Sequence, residues 1–136
     1  MSDLFIYDIN QYLQADSQMQ TLMENNNFII TPGVAYDETA APFIMWTYYV
    51  DIKSPELPWW RIDKICYDIF DDDADRCLRI GERIISLLSI TDKIQNIPSY
   101  HLGLWCFLEK GNFIGPQERE GWYSYRLDFE VSHLPD

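Results

Sequence analysis

The sequence predicts an α+β fold, in which an antiparallel β-sheet of about four strands carries helices packed on one face. The clearest strand lies at residues 123–131, where apolar and polar side chains alternate so that one face is buried and the other is solvated. The clearest helix lies at residues 72–88, where apolar residues recur at the spacing of one helical face. A half-solvated strand beside an amphipathic helix is typical of helices layered on one side of a sheet.

The first 32 residues predict two short helices and a short strand. Ser2 or Asp3 can cap the first helix, and Asp16 or Ser17 can begin the second. The buried side of the first helix is predicted to hold Phe5, Ile6, Ile9, Tyr12 and Leu13. The asparagines at residues 25–27 end the second helix, and the apolar residues at 28–30 form the strand before a Thr-Pro-Gly turn.

Residues 43–70 predict two long strands joined by an aromatic loop at residues 53–60. Adjacent residues of a strand point to opposite faces, so one of Trp59 and Trp60 is expected to pack into the core. The other would point away from the core and is expected to be buried by a further contact, because large apolar surfaces seldom stay exposed. A contact with another molecule and a contact with another part of this chain are about equally good explanations of how that side chain is buried.

The acidic residues Asp71, Asp72 and Asp73 open the main helix, and we expect Asp71 or Asp72 to cap its free backbone N–H groups. The helical spacing places four apolar residues on the buried side, namely Leu78, Ile84, Ile85 and Leu88. It places three arginines on the exposed side, namely Arg76, Arg79 and Arg83. Beyond this helix the sequence predicts a third strand at residues 102–108, a polar connection at 110–121 and the final strand.

The start of this helix also matches part of a calcium-binding loop. Four acids occupy its first, third, fifth and twelfth positions, namely Asp71, Asp73, Asp75 and Glu82. Arg76 occupies the sixth position, where the sharp turn of such a loop needs glycine. The apolar stripe of the helix also runs through this segment without interruption. We therefore interpret the acids as helix-capping residues and predict no metal site.

The chain carries a formal net charge of −12, from 22 acidic and 10 basic residues. Binding to nucleic-acid phosphates needs a basic surface, so this balance argues against direct binding to DNA or RNA. An acidic surface, for which Asp71, Asp72 and Asp73 are the candidates, could instead keep DNA from adhering. Acidity that only maintains solubility explains the same residues and is the commoner case.

No reactive constellation emerges from the sequence. His101 and His133 are the only histidines, and no serine lies in a nucleophile-elbow motif. The six glycines are scattered rather than gathered in a phosphate-binding loop, and the three cysteines lack metal-ligand or redox spacing. We expect one domain, residues 1–136, without catalytic activity, cofactor, signal peptide or membrane span.

The order of these elements resembles that of the tail terminator and tail completion proteins of long-tailed bacteriophages, and of related head–tail connector or neck proteins. An N-terminal helix with Ile-Asn-Gln-Tyr-Leu at residues 9–13 precedes a long strand at residues 43–52. A loop, a strand ending in Tyr-Asp-Ile-Phe at residues 67–70 and the Asp-led helix follow, before two closing strands. The resemblance covers nearly the whole chain in organisation and includes no catalytic motif.

This resemblance implies a structural virion protein that assembles with itself into a ring, usually of six subunits, at the head-proximal end of the tail. Such a ring caps the tail tube, ends polymerisation of the tail tube protein and gives the head–tail connector protein a docking surface. DNA passes through its centre without specific binding. Assembly of the particle would take place in the host cytoplasm.

Six residues are candidate contacts with other subunits or partners, because they lie in or beside the two connections that project from strand ends. They are Lys53, Leu57, Trp59, Trp60, Phe113 and Trp122. Two other functions stay open. One is a small non-enzymatic binding domain, whose aromatic sheet face would hold an apolar ligand or a protein partner, and the other is an uncharacterised hydrolase.

Overall fold

The structure is a computed structural model, and it describes residues 5–24, 31–32, 41–53, 61–88, 103–115 and 121–133. In chain order, the elements within these ranges are α1 (Phe5–Ala15), α2 (Ser17–Met23), β1 (Thr31–Pro32), β2 (Phe43–Lys53), β3 (Arg61–Asp71), α3 (Ala74–Leu88), β4 (Gly103–Ile114) and β5 (Tyr123–His133). The strand predicted at residues 28–30 lies outside the described residues. No helix in these ranges is long and apolar enough to span a bilayer.

The strands form one sheet in the order β1-β2-β3-β5-β4. The four long strands pair antiparallel with their neighbours, and the two-residue β1 runs parallel to β2. β5 therefore lies between β3 and β4, and its pairing with β3 joins residues as distant in sequence as Ile65 and Phe129. The predicted fold class, an α+β fold with helices on an antiparallel sheet, is confirmed.

The core lies between the helices and one face of the sheet. On this helix-facing side, Ile65, Tyr67 and Ile69 of β3 pair with Phe129, Leu127 and Tyr125 of β5, and all six are buried. The Tyr67 hydroxyl donates a hydrogen bond of 2.7 Å to Oδ1 of Asn10 in α1, and both residues are buried. A buried hydroxyl without a partner would cost stability, so this bond fixes α1 on the sheet.

The two N-terminal helices follow the predicted pattern. α1 buries Ile6, Ile9 and Leu13, as predicted, while Tyr12 is only partly buried. Asp16, one of the two predicted starts, caps α2 by accepting a hydrogen bond of 2.9 Å from the backbone N–H of Met19. Such a cap satisfies one of the N–H groups that a helix leaves free in its first turn.

Asp73 caps α3, because its Oδ1 accepts a hydrogen bond of 3.2 Å from the backbone N–H of Arg76. Its carbonyl accepts the first helical bond, from the N–H of Cys77. The prediction that Asp71 or Asp72 would be the cap was wrong. Asp71 is the last residue of β3, and its carboxylate is bound by the Arg76 side chain instead.

The buried stripe of α3 consists of Cys77, Ile80, Gly81, Ile84 and Leu88. The predicted burial of Ile84 and Leu88 is confirmed, and Ile85 is partly buried. Leu78 is 37% exposed, so the prediction that it would be buried was wrong. Each helical residue turns the chain by about 100°, which places Leu78 to one side of a stripe that starts at its neighbour Cys77.

α3 packs against β5 so closely that Gly81 leaves no room for a side chain. A Cβ atom at this position would lie 2.4 Å from Cδ2 of Tyr125. The Tyr125 hydroxyl lies 3.1 Å from Oε1 of Glu82, to which it donates a hydrogen bond. The helix therefore lies over Tyr125, with the ring held between the helix backbone and the sheet.

β4 extends to Ile114, and so includes the Lys-Gly-Asn segment at residues 110–112 that the sequence predicted as a connection. Among the described strands, β4 is an outer strand of the sheet. An edge strand tolerates polar residues and glycine, because one of its sides needs no ladder partner. A bulge between Leu108 and Lys110 also breaks the alternation from which a strand is recognised in sequence.

Candidate assembly surfaces

The end of β4 presents apolar side chains to solvent. Phe113 is 36% exposed and Ile114 is 46% exposed. Phe113 is held by its ring contacts, since it stacks on Tyr123 at a centroid distance of 6.0 Å and meets Tyr125 edge-on at 5.9 Å. A rigid, partly exposed aromatic side chain is suited to anchor an interface. Phe113 is thus accessible, and its contact with another subunit stays a prediction.

Trp122, another predicted contact residue, packs within the chain. Its ring centroid lies 5.6 Å from that of Phe43, which in turn stacks on Phe70 at 5.1 Å. Phe43 is buried, whereas Phe70 and Trp122 are partly buried. The three rings cover one end of the sheet on the face opposite the helices. Trp122 therefore belongs in part to the core, and only part of its surface can meet a partner.

The remaining predicted contact residues lie wholly or partly outside the described structure, so their contacts stay predictions. Lys53 is the last residue of β2, and its side chain lies outside the described part of the chain. Leu57, Trp59 and Trp60 lie outside the described residues.

Sequence reasoning missed two exposed apolar positions, one on β2 and one on β4. Tyr49 of β2 is 52% exposed and Ile114 of β4 is 46% exposed. Tyr49 lies in the predicted strand at residues 43–52 and was given no surface role, whereas Ile114 lies in the predicted connection at 110–121, from which Phe113 was the residue named as a contact. Only the order of the strands places them near the two sides of the sheet.

Asp71 is fully buried, so the prediction that it belongs to an acidic surface was wrong. Its two carboxylate oxygens accept hydrogen bonds from Nε of Arg76 at 2.7 Å and from Nη2 at 2.6 Å. A bidentate pair of this kind is the strongest form of the arginine–carboxylate contact, and it compensates the carboxylate for its loss of water. Asp72 and Asp73 are exposed, so they form the surface part of the acidic cluster.

Two arginines of α3 tie this helix to α2. Arg76 Nη1 lies 3.1 Å from Oε1 of Glu24, the residue that follows α2. Arg83 donates hydrogen bonds of 3.0 Å and 2.7 Å to the carboxylate of Asp16, which precedes α2. Both ends of α2 are thus held by ion pairs, and the hydrogen bond from Arg83 holds the pKa of Asp16 below its usual value.

The prediction that all three arginines would be largely exposed was wrong for two of them. The side chains of Arg76 and Arg83 are 20% and 27% exposed, because both reach across to other elements. Hydrogen bonds with Asp71 and Asp16, respectively, raise the pKa values of these two guanidinium groups. Arg79 is 68% exposed, as predicted.

A groove of about 710 Å³ lies along α2 and α3. Leu22 and Leu78 contribute apolar surface to it, while Gln18, Glu82 and Ser86 contribute polar groups. The exposure of Leu78 follows from this position, since the side chain faces the groove rather than the sheet. The groove can accept an apolar side chain and offer hydrogen bonds beside it.

Away from these three rings, the sheet face opposite the helices carries polar groups on β3 and β5. Arg126 lies 3.6 Å from Asp128 in β5 and pairs in register with Asp68 of β3. Burial raises the pKa of the Asp68 carboxyl and raises that of the neighbouring Cys66 thiol to about 12. A thiol with so high a pKa carries almost no thiolate at neutral pH, so Cys66 is a structural residue.

The acids that resemble part of a calcium loop have separate structural roles. Asp71 is paired with Arg76, Asp73 caps α3, and Asp75 accepts a hydrogen bond of 2.7 Å from Arg79. Within the described ranges, no group of three or more His, Cys, Asp or Glu side chains is placed to hold a metal ion. The geometry supports the interpretation of these acids as capping and pairing residues.

No protein-family model matches this chain, and no curated protein matches it in sequence. In fold, it is similar to a chain of a solved structure described as the virion of a native gene transfer agent particle. The TM-score is 0.72 at 12% sequence identity, and the match covers 96% of this chain and 95% of the other. The two chains therefore share one fold over nearly their full lengths.

Proposed function

We propose that this protein is a structural component of a phage-like virion, and that six copies form a ring at the head-proximal end of the tail. The observation that carries the proposal is the fold shared with a virion chain over nearly the full length of both chains. The order of elements, which resembles that of tail terminator and tail completion proteins, supports the same class. In this role the ring caps the tail tube, ends its polymerisation and receives the head–tail connector.

The exposed apolar side chains support an assembling protein. A ring forms when one surface patch repeatedly meets a different patch and the rotation closes. The described surface offers two unlike patches, namely the projecting end of β4 with Phe113 and Ile114, and the groove along α2 and α3 with Leu78. Apolar surface that is left exposed on a subunit is available for burial in an assembly.

The proposed role needs no catalysis, and we propose that the chain is not an enzyme. Burial raises the pKa of the Cys66 and Cys77 thiols to about 12, so neither is a thiolate nucleophile at neutral pH. The buried carboxylate of Asp71 is neutralised by Arg76, which makes it a structural ion pair. These residues support the fold rather than a reaction.

The negative net charge of the chain is compatible with a ring whose inner wall faces passing DNA. With a net charge of −12, the surface repels phosphates on average, so passing DNA would stay mobile. Asp72 and Asp73 contribute exposed negative charge at the start of α3.

The test is to disrupt this gene in the genome that encodes the virion proteins. The particles that are then produced are examined by electron microscopy. We expect unjoined heads and tails, with tail tubes that exceed their normal length. Wild-type protein supplied from a plasmid should restore joined particles. Tails of normal, defined length that are still joined to heads would overturn the proposal.

The groove along α2 and α3 favours a second candidate function, a small non-enzymatic binding domain for an apolar ligand or a protein partner. Native mass spectrometry separates the two functions. A closed ring supports the virion role, whereas a monomer that retains a small apolar compound supports the binding domain.

A further inference from the structure

The groove along α2 and α3 is the concave one of the two apolar patches on the described surface. Leu78, which is 37% exposed, and the partly buried Leu22 supply its apolar surface. The exposed polar side chains along it are those of Ser17, Gln18, Thr21, Glu82 and Ser86. Its volume of about 710 Å³ lies in the range of cavities that enclose a drug-sized ligand, so it has room for a large side chain.

The end of β4 is the projecting patch. Phe113 pairs in register with Tyr125, which lies against α3, so the Phe113 ring points to the helix-facing side of the sheet. It is 36% exposed there. Its contacts with the rings of Tyr123 and Tyr125 already hold it in one orientation. Phe113 therefore loses little side-chain entropy when a partner covers it.

The two patches hold most of the exposed apolar side chains in the described part of the chain. Five large apolar side chains are exposed there, and three of them, Leu78, Phe113 and Ile114, belong to these patches. Their shapes are complementary, since a ring that projects from a strand can fill a groove. Two grooves that faced each other would enclose empty space and lose those contacts.

The charges beside the two patches have opposite signs. Lys110 lies exposed on β4, three residues before Phe113, and Glu82 lies exposed in the groove, one helical turn after Leu78. Neither charge has an ion-pair partner within the described ranges. The arginines of the groove are already paired within their own chain, with Asp75 and Asp16. Glu82 is therefore the groove charge that is left for a cation of a partner.

We infer that Phe113 of one copy of this chain is buried in the groove along α2 and α3 of a second copy, against Leu22 and Leu78, with Lys110 placed to pair with Glu82. This inference rests on the proposed ring and names the contact that joins its subunits. Each subunit inserts its β4 into one neighbour and receives β4 from the other. A contact between unlike patches of this kind can close into a ring, whereas a contact between like patches stops at a dimer.

Two variants each remove one half of the contact. Leu78→Glu places a charge in the groove, and Phe113→Glu replaces the projecting ring. Both positions are exposed in the subunit, so we expect both variants to fold, as checked by circular dichroism. If Phe113→Glu does not fold, Ile114→Glu at the more exposed neighbouring position takes its place. A carboxylate is costly to bury without a partner, so each variant should associate roughly a hundredfold more weakly than the wild type in analytical ultracentrifugation.

Mixing the two variants isolates the contact between unlike patches. The Leu78→Glu chain keeps an intact β4, and the Phe113→Glu chain keeps an intact groove. An equimolar mixture should therefore form a one-to-one dimer in native mass spectrometry. This dimer should not grow into a ring, because both of its remaining patches are substituted. The two variants carry the same added charge, so electrostatic attraction between the substituted residues cannot produce the dimer.

The matched control is Gln11→Glu, which adds the same charge at an exposed position of α1 outside both patches. It should assemble as the wild type does. Loss of assembly in this control would overturn the inference, because it would show that added charge alone keeps the subunits apart.

Three further outcomes would overturn the inference. A mixture that stays monomeric under conditions in which the wild type assembles would show that the ring uses another contact, and so would closed rings of either variant alone. Both results would leave the proposed virion function standing. A wild-type protein that stays monomeric at about 1 mM, a concentration at which even weak contacts form, would exclude the contact in solution. The virion role is judged separately, from the micrographs of disrupted particles.

Discussion

Arg76 stabilises the buried negative charge of the Asp71 carboxylate. The Asp71 carboxylate is fully buried, and Arg76 is the cation that binds both of its oxygens. Without Arg76, the carboxylate would stay buried and uncompensated. We expect Arg76→Ala to lower the free energy of unfolding by about 3–5 kcal/mol, measured by urea denaturation.

The matched control is Arg79→Ala, which breaks the exposed pair with Asp75 on the same helix. Exposed pairs contribute little, so the free energy of unfolding should change by less than about 1 kcal/mol. Equal losses in the two variants would contradict a special role for the buried pair.

Asp16 links stability to pH. Its hydrogen bond with Arg83 lowers the pKa of the folded state below the ordinary value of 3.8. The contribution is therefore fully present above that value and is lost as the pH falls through the folded pKa. We expect Asp16→Asn, which keeps a capping side chain, to be less stable than the wild type at pH 7. The difference should vanish as the pH falls well below 3.8, as followed by urea denaturation from pH 7 to acid. A difference that is constant with pH would contradict the ion pair as its source.

These side-chain roles show the limit of sequence reasoning at the residue scale. Asp71 and Arg76 are five positions apart, but their pairing requires the turn between β3 and α3. Asp16 and Arg83 are 67 positions apart and meet only because α2 packs on α3. Helical periodicity places both arginines on the outer side of α3, which is correct for the helix alone. It carries no information on which neighbouring element lies there.

At the scale of elements, substitutions of two apolar residues test which face of α3 is buried. Ile84 is fully buried, and Ile84→Ala should lower the free energy of unfolding by about 2–5 kcal/mol, because it leaves a cavity. Leu78→Ala, at the exposed position, should change it by no more than about 0.5 kcal/mol. Thermal and urea denaturation of the two variants measure the difference. A larger loss for Leu78→Ala would show that the two faces are assigned in reverse.

The contact between α3 and β5 depends on Gly81. Alanine is favoured over glycine in a helix by about 1 kcal/mol, so an unhindered Gly81→Ala would be stabilising. Here the added methyl group would lie 2.4 Å from the Tyr125 ring, and overpacking of this kind costs about 1–3 kcal/mol. We expect the variant to be less stable than the wild type in thermal denaturation. Ser86→Ala, at an exposed position of the same helix, is the control and should be slightly stabilising. A stabilised Gly81→Ala would contradict the close approach.

The elements differ in how far the sequence predicts them, and the reasons are physical. β5 is predicted well because one of its faces is buried and the other is polar, which gives clean alternation. The second half of β4 is missed because an outer strand tolerates Lys, Gly and Asn, which also form turns. The start of α3 is shifted because three successive aspartates can each cap, and only the geometry selects Asp73.

At the scale of the whole molecule, the excess of acidic groups predicts how the protein behaves towards DNA. Binding to duplex DNA is driven by cations that displace counterions from the phosphates, and it strengthens as salt is lowered. With a net charge of −12, we expect no change in the fluorescence anisotropy of a labelled duplex, at either physiological or low salt. A basic DNA-binding protein serves as the positive control. Binding that strengthens at low salt would contradict the proposal that DNA passes without adhering.

The position of β5 in the sheet determines when the chain can fold during its synthesis. During synthesis β2, β3, α3 and β4 leave the ribosome before β5, yet β5 lies between β3 and β4. Until it emerges, β4 has no partner in its own sheet, and the long-range pairing that completes the sheet cannot form. Domains fold as units once their strands are available, so folding must follow translation of nearly the whole domain. A half-made chain thus lacks the completed sheet with which the folded protein could meet another molecule.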